Sequence, residues 1–304
     1  MRLRDIQVSS LKQESLYQRI TMETVKLAYD VFELEDTRSD LNPIILTHGL
    51  FWNKFMFKDL ATDLCKETKR KVYSLDLRNH GESPFSEDFT SNSIIEDIRR
   101  FLKERDLKRV CFVCHSFSSS FAYLIAVDQP EVVEKLVFID HPTFAIFTQS
   151  FQLDSVTPQV RIQNRLLNGL NPQMTLQEAK NKFYELAKMG NRGQEFMFRK
   201  AAYDLTKEKG QFKWKTDLDF LLKRYLERKC SPKPRGSSQK EILIIRCANS
   251  TRIPDSKFEA VLKYNPNAKL ITFEDTSHLL MFEKSKEFVE AVKGFLLSTN
   301  DILA

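Results

Sequence analysis

The chain has 304 residues, 42% of them hydrophobic and 24 of them Phe, enough for a large buried core and too many for a disordered chain. Its formal net charge is a modest +6, and no run approaches the ~18 uninterrupted apolar residues of a spanning helix. Five scattered cysteines, Cys65, Cys111, Cys114, Cys230 and Cys247, suit free thiols in a reducing compartment and argue against a disulfide scaffold.

Residues 1–15 read as a polar arm or a weak presequence. Over the first twenty residues Arg2, Arg4, Lys12 and Arg19 lie among serines as in a mitochondrial targeting segment, whereas Asp5 and Glu14 break its acid-poor rule. From there, short apolar runs alternate with amphipathic stretches. Ile44–Leu46, Val72–Leu77, Val110–Val113, Leu136–Ile139, Ile242–Ile245 and Leu270–Phe273 are predicted strands, near-continuous in apolar character as strands covered on both faces are. Between them Phe57, Leu60 and Leu64 share a helical face, as do Ile94, Ile98 and Phe101, and, near the end, Phe288, Val292 and Phe295. The alternation predicts an α/β fold with a mostly parallel, doubly wound sheet.

The pattern breaks at 145–240, which reads as helices only and ends in the linker Ser231-Pro-Lys-Pro-Arg-Gly-Ser-Ser. The expected organisation is a core of residues 16–144 and 241–304, with 145–240 as a helical cap and linker. Residues 145–240 carry 19 Lys and Arg against 9 Asp and Glu. No nucleic-acid motif accompanies this charge, so a solvated helical face is its first reading and contact with an anionic membrane surface or a phosphorylated substrate its second.

Residues 110–120, Val-Cys-Phe-Val-Cys-His-Ser-Phe-Ser-Ser-Ser, spell two chemistries. Cys111-x-x-Cys114-His115 matches the haem-attachment string, yet in a strand side chains three apart leave opposite faces, so the two thiols cannot meet one porphyrin or each other. Read one step later, Cys114-His115-Ser116-Phe117-Ser118 is an altered G-x-S-x-G, the strand-turn-helix elbow of serine hydrolases. Ser116 would stand at the apex above the sheet's carboxyl edge, with the Phe117 N–H at a helix start behind it. An ordinary strand-to-helix loop of any Rossmann-like sheet explains these five residues as well. The histidines His48, His80, His115, His141 and His278 all fall past predicted strand ends, the edge where open α/β sheets bind ligands. No H-x-H or H-E-x-x-H pair occurs, so neither a metal nor another cofactor is expected.

Taken in order, Thr47-His48-Gly49-Leu50, Asp76-Leu-Arg-Asn-His80-Gly-Glu-Ser83-Pro84, His115-Ser116 and Ser277-His278 resemble the α/β-hydrolases. The string Arg78-Asn-His-Gly-Glu-Ser-Pro is similar to the branch containing α/β-hydrolase domain-containing protein eleven and small bacterial esterases. The resemblance runs from about Tyr29 to Leu297 and is weakest through 145–240. It implies an α/β-hydrolase fold with a helical cap and a serine carboxylic-ester hydrolase acting on acyl or lipid esters. It also leans towards a mitochondrial location, with the cytoplasm as the other option. In that scheme Ser116 is the nucleophile, His278 the base, and the backbone N–H groups of Leu50 and Phe117 the oxyanion donors. The acid has two candidates. Asp140, just past the strand ending at Ile139, sits where related small esterases carry it, and Asp219 lies in a Trp…Leu-Asp string similar to one in the named branch; Asp255 is a distant third. The helical stretch 145–240, rich in Leu and Phe, is expected to cover an apolar acyl-binding cleft with Phe51 and Trp52 at its mouth.

Cys114 and Ser118 stand where the elbow normally has glycines, a substitution that strained turns tolerate at about 1–3 kcal/mol. A displaced nucleophile would make the chain a catalytically weakened hydrolase fold used as a binding or interaction module, the competing reading.

Overall fold

The computed structural model describes residues 23–142, 153–189, 192–227, 236–250 and 252–298. The polar arm 1–15 and most of the linker 231–238 lie outside these. Seven strands form one sheet: β1 (Tyr29–Phe32), β2 (Ile44–Thr47), β3 (Val72–Leu75), β4 (Val110–His115), β5 (Val133–Ile139), β8 (Glu241–Cys247) and β9 (Ala268–Phe273). Their order is β1-β3-β2-β4-β5-β8-β9. β1 runs antiparallel to β3 and all other neighbours are parallel.

Helices α1 (Lys58–Thr68), α2 (Ser91–Glu104), α3 (Ser119–Asp128), α8 (Asp255–Tyr264), the short α9 (Leu280–Glu283) and α10 (Ser285–Leu296) connect these strands or close the chain. Their apolar stripes bury as the spacing requires: Leu60 and Leu64, Ile94, Ile98 and Phe101, and Phe288, Val292 and Phe295 are all nearly inaccessible. The sheet divides the apolar interior in two. Phe112, Cys114, Leu136, Phe138, Ile242 and Ile244 face one layer; Cys111, Val113, Val137, Ile139, Leu243 and Ile245 face the other. Cys111 and Cys114 therefore lie in opposite layers, each thiol pushed up to about 12 by burial.

The stretch 145–240 departs from its helices-only reading. Beside α4 (Leu153–Asn168), α5 (Leu176–Met189), α6 (Arg192–Asp204) and α7 (Leu218–Leu226) it holds an antiparallel hairpin of β6 (Leu205–Glu208) and β7 (Gln211–Trp214). At the turn, Lys209 and Gly210 both take positive φ, 49° and 80°, which fits the strong twist of a two-residue hairpin.

Buried polar contacts bind this layer to the loops after β2 and β3. Asn53 Nδ2 donates to Asp204 Oδ1 at 3.1 Å, the Gly81 N–H to Thr216 Oγ1 at 3.0 Å, and Lys54 Nζ to the Tyr203 hydroxyl at 2.9 Å. Lys200, almost fully buried, is neutralised by Asp204 at 3.3 Å and donates to Gln163 Oε1 at 2.9 Å. Among the described residues no helix is long and apolar enough to cross a membrane.

Candidate active site

β4 ends at His115, and Ser116 takes φ +53° before a 3-10 turn, Ser116–Ser118, leads into α3. The regular helix thus begins at Ser119, two residues later than the sequence places it. A left-handed non-glycine residue is strained, and such strain clusters where a side chain must be aimed. Here it lifts the Ser116 hydroxyl from the strand's path while its neighbours stay regular. Neither altered position needs glycine for its φ: Ser118 is right-handed at φ −71°, ψ −19°, and Cys114 is an ordinary strand residue.

Ser118 also uses its hydroxyl. It accepts from Thr47 Oγ1 at 2.9 Å and lies 2.9 Å from the Thr47 carbonyl and 3.1 Å from that of His115. The serine thus pins the elbow to the end of β2. Replacing Ser118 by Val removes that donor inside the core and is expected to destabilise the fold by about 1–3 kcal/mol. Ser118→Ala, which leaves less bulk, should lie at the low end, and urea unfolding of both variants measures the difference.

His278 follows β9 and meets Asp140, which follows β5, with Nδ1 2.7 Å from Oδ2. The carboxylate is completely buried and held from all sides: its own N–H donates to the Ile245 carbonyl at 2.7 Å, the Cys247 N–H approaches Oδ1 at 3.4 Å, and Arg252 Nε stands 3.8 Å from Oδ2. Burial pushes the Asp140 carboxyl up, but the His278 hydrogen bond and charge, with help from Ser250 and Cys247, hold it below its ordinary value. Burial also pushes His278 down, against the pull of Asp140, so the ring is a free base near neutrality. With Nδ1–H directed at the carboxylate, Nε2 is left to accept a proton.

The other acid candidates stand apart from this pair. Asp219 is exposed in the first turn of α7 and accepts from Asn164 Nδ2 at 3.1 Å. Asp255, at the start of α8, is 85% exposed and pairs with Arg246. Phe51 and Trp52 do not stand at an open mouth: they are 1% and 5% exposed. Trp52 stacks on Phe196 of α6 at 5.3 Å, and Phe196 on Phe282. On the other side Phe117 packs with Phe121 and Phe89, and Phe89 reaches Phe220 of α7. Phe117 of the elbow belongs to this second group.

The glycine of Thr47-His48-Gly49-Leu50 is required by space, since a Cβ there would lie 2.8 Å from His115 Nδ1 and 3.4 Å from Ser116 Cβ. His48 does more than mark the motif. Its Nε2 accepts the Leu77 N–H at 3.0 Å, so Nδ1 carries the proton and donates to the Gly49 carbonyl at 2.8 Å. The Trp52 N–H binds the same carbonyl at 3.1 Å. Two donors on that oxygen fix the peptide plane whose other end is the Leu50 N–H. The Phe117 N–H lies in the first turn of the 3-10 helix, where N–H groups lack an intrahelical acceptor.

Asp76-to-Pro84 is a structural knot beside the site. Buried Arg78 clasps Asp97 of α2 with Nη2 2.8 Å from Oδ1, and Ser83 Oγ donates to the Asp76 carbonyl at 2.6 Å. Among the described residues no cluster of three or more His, Cys, Asp or Glu could hold a metal ion.

A mostly parallel sheet whose central strand turns at a left-handed serine, with an imidazole and a carboxylate delivered from later strand ends, defines the α/β-hydrolase class of fold. The chain belongs to the alpha/beta hydrolase family, whose pattern it matches over residues 44–291. It is 25% identical over 285 residues to the sn-1-specific diacylglycerol lipase ABHD11 of Danio rerio, a match covering 91% of this chain and 84% of that protein. To the protein of the same name from Mus musculus it is 26% identical over 276 residues, covering 87% and 84%. Among solved structures, a marine microorganism esterase superposes with a TM-score of 0.72 over 90% of this chain and all of its own, at 22% identity, which is a likeness of fold.

Proposed function

We propose that the protein is a serine carboxylic-ester hydrolase acting on acyl or lipid esters through an acyl-enzyme. The observation that carries the proposal is the His278–Asp140 contact of 2.7 Å at the sheet edge where Ser116 is left-handed. Ser116 Oγ attacks the ester carbonyl and passes its proton to His278 Nε2, while Asp140 stabilises the imidazolium. The oxyanion is received by the N–H groups of Leu50 and Phe117, each such donor being worth ~10²–10³ in turnover. The protonated imidazole then gives its proton to the departing alcohol. Water, deprotonated by the same ring, releases the acid.

The aromatic side chains packed on Phe117 at the elbow suit an apolar acyl chain, and the relatives named as diacylglycerol lipases support a glyceride-like ester. The excess of positive charge in 145–240 favours an anionic lipid interface, which sedimentation with phosphatidylglycerol against phosphatidylcholine vesicles would reveal or refute. A mitochondrial location rests on the resemblance, with weak agreement from the basic, serine-bearing N-terminus; imaging the tagged chain in cells decides between it and the cytoplasm.

The test of the function is reaction of the purified protein with a fluorophosphonate, with the modified residue mapped by peptide mass spectrometry. Adduct on Ser116 together with hydrolysis of acyl esters is the expected result. Folded protein that takes up no probe would sink the proposal in favour of a catalytically weakened fold serving as a binding module.

A further inference from the structure

We infer that His115 is a positioning residue, whose imidazole ties the loop carrying His278 to the elbow carrying Ser116. The inference rests on the reading of those two residues as base and nucleophile. His115 Nε2 lies 2.9 Å from the backbone oxygen of His278. A carbonyl only accepts, so Nε2 holds the proton and Nδ1 is bare. Nδ1 is buried with no hydrogen-bond partner, wedged towards Gly49. The two imidazoles also lie face to tilted face, their centroids 4.5 Å apart.

An apolar side chain would fill this site without stranding a nitrogen. A buried ring with one orphan nitrogen is tolerable where the other makes a bond that counts. That bond is distinct from the rest of the loop's anchors. The Asn249 N–H holds the Thr276 carbonyl at 3.0 Å, and Ser277 donates from both N–H and Oγ to Glu283, at 2.7 and 2.6 Å. Those tie the loop to the end of β8 and to α9. The His115 bond reaches β4, the strand that bears the nucleophile, across 163 residues of sequence. Burial, the main cause, together with repulsion from His278 whenever that ring is protonated, pushes His115 well below its ordinary value, so it acts as a fixed donor and not as a proton relay. Its contact with Gly49 sets the same ring against the oxyanion loop.

His115→Gln, His115→Asn and His115→Leu test this. A Gln amide nitrogen can occupy the place of Nε2; the shorter Asn cannot, and Leu has no donor. The second-order rate of fluorophosphonate labelling is expected to fall ~10–100-fold in the Asn and Leu variants and to return to within a few-fold of wild type in Gln, the scale expected when a reacting group is misplaced by a fraction of an ångström to ~1 Å. Thermal unfolding followed alongside separates this from loss of fold; should Leu not fold, the Asn and Gln pair decides. Wild-type rates in Asn, or a Gln variant as slow as Asn, would overturn the inference. Imidazole ¹⁵N spectra of His278 give a readout that needs no catalysis. A ring signal broadened in Asn and sharp in Gln supports the positioning role even if the wild type takes up no probe, and an unchanged signal in Asn counts against it.

Discussion

Ser116→Ala is expected to abolish fluorophosphonate labelling and to lower ester hydrolysis on the order of 10⁴-fold or more, because in the proposed chemistry the Ser116 hydroxyl forms the acyl bond. What remains would come from the oxyanion donors and substrate binding. The neighbouring hydroxyls are poor substitutes. Ser118 and Ser119 are each 1% exposed and turned towards the backbone oxygens of Thr47, His115 and Cys114. The fold should survive, since serine and alanine both carry a Cβ and face similar strain at φ +53°. The check is active-site titration of both proteins beside their thermal unfolding. Persistent labelling of the alanine variant at another serine would remove Ser116 from the proposed chemistry.

Asp140→Asn should cost on the order of 10⁴-fold in kcat, and Asp219→Asn should leave kcat within about twofold of wild type. Asparagine at 140 can present an amide N–H to His278 Nδ1, which favours the tautomer with its proton on Nε2 and so blocks removal of the serine proton. Asp219, exposed on α7 and bonded to Asn164, has no route to that ring. The pH profiles should move in a defined direction. Labelling requires neutral His278, so the rate falls as pH drops through its pKa, which burial already sets below the ordinary histidine value against the pull of Asp140. Removing the carboxylate takes away the groups' main attraction for the imidazolium, so the acid limb should shift to still lower pH in Asp140→Asn. Steady-state hydrolysis across pH for the two variants measures both effects. Equal losses at 140 and 219 would contradict the assignment.

The central strands were legible because both faces of β2, β4, β5 and β8 are covered, leaving near-continuous apolar runs that few other structures produce. β1 escaped for the opposite reason. Tyr29–Phe32 is a short antiparallel edge strand with half-exposed side chains and Asp30 in its middle. The hairpin of β6 and β7 hid among lysines, although Lys209-Gly210 between Leu205–Glu208 and Gln211–Trp214 carries a two-residue turn signal. Position past a strand end put His278 among five candidate histidines and Asp140 among the acids. The resemblance chose His278 and left Asp219 beside Asp140, and the structure brings His278 and Asp140 into contact. Position could not single out the work of His48 and His115 as donors, because their partners are backbone oxygens. A main-chain acceptor leaves no residue type in the sequence to read.

The base of the proposed site is borne by the loop after β9, and β9 is an edge strand of the sheet. The four middle residues of β9, Lys269 to Thr272, are all exposed or half-buried, whereas every residue of β4 is buried. Local opening of a sheet edge costs less free energy than unfolding its centre. Stability is therefore unevenly shared between the two halves of the proposed chemistry, with the proposed nucleophile just past a fully buried strand and its proposed activator just past a readily released one. Titration with denaturant should silence labelling at Ser116 at a lower concentration than the loss of far-ultraviolet circular dichroism, and hydrogen exchange in Ala268–Phe273 should outpace that in Val110–His115. Coincident transitions would mean that the edge is as firmly held as the centre. Under the proposed chemistry, a serine activated only while β9 is docked also stays quiet during synthesis, since Ser116 is made long before His278.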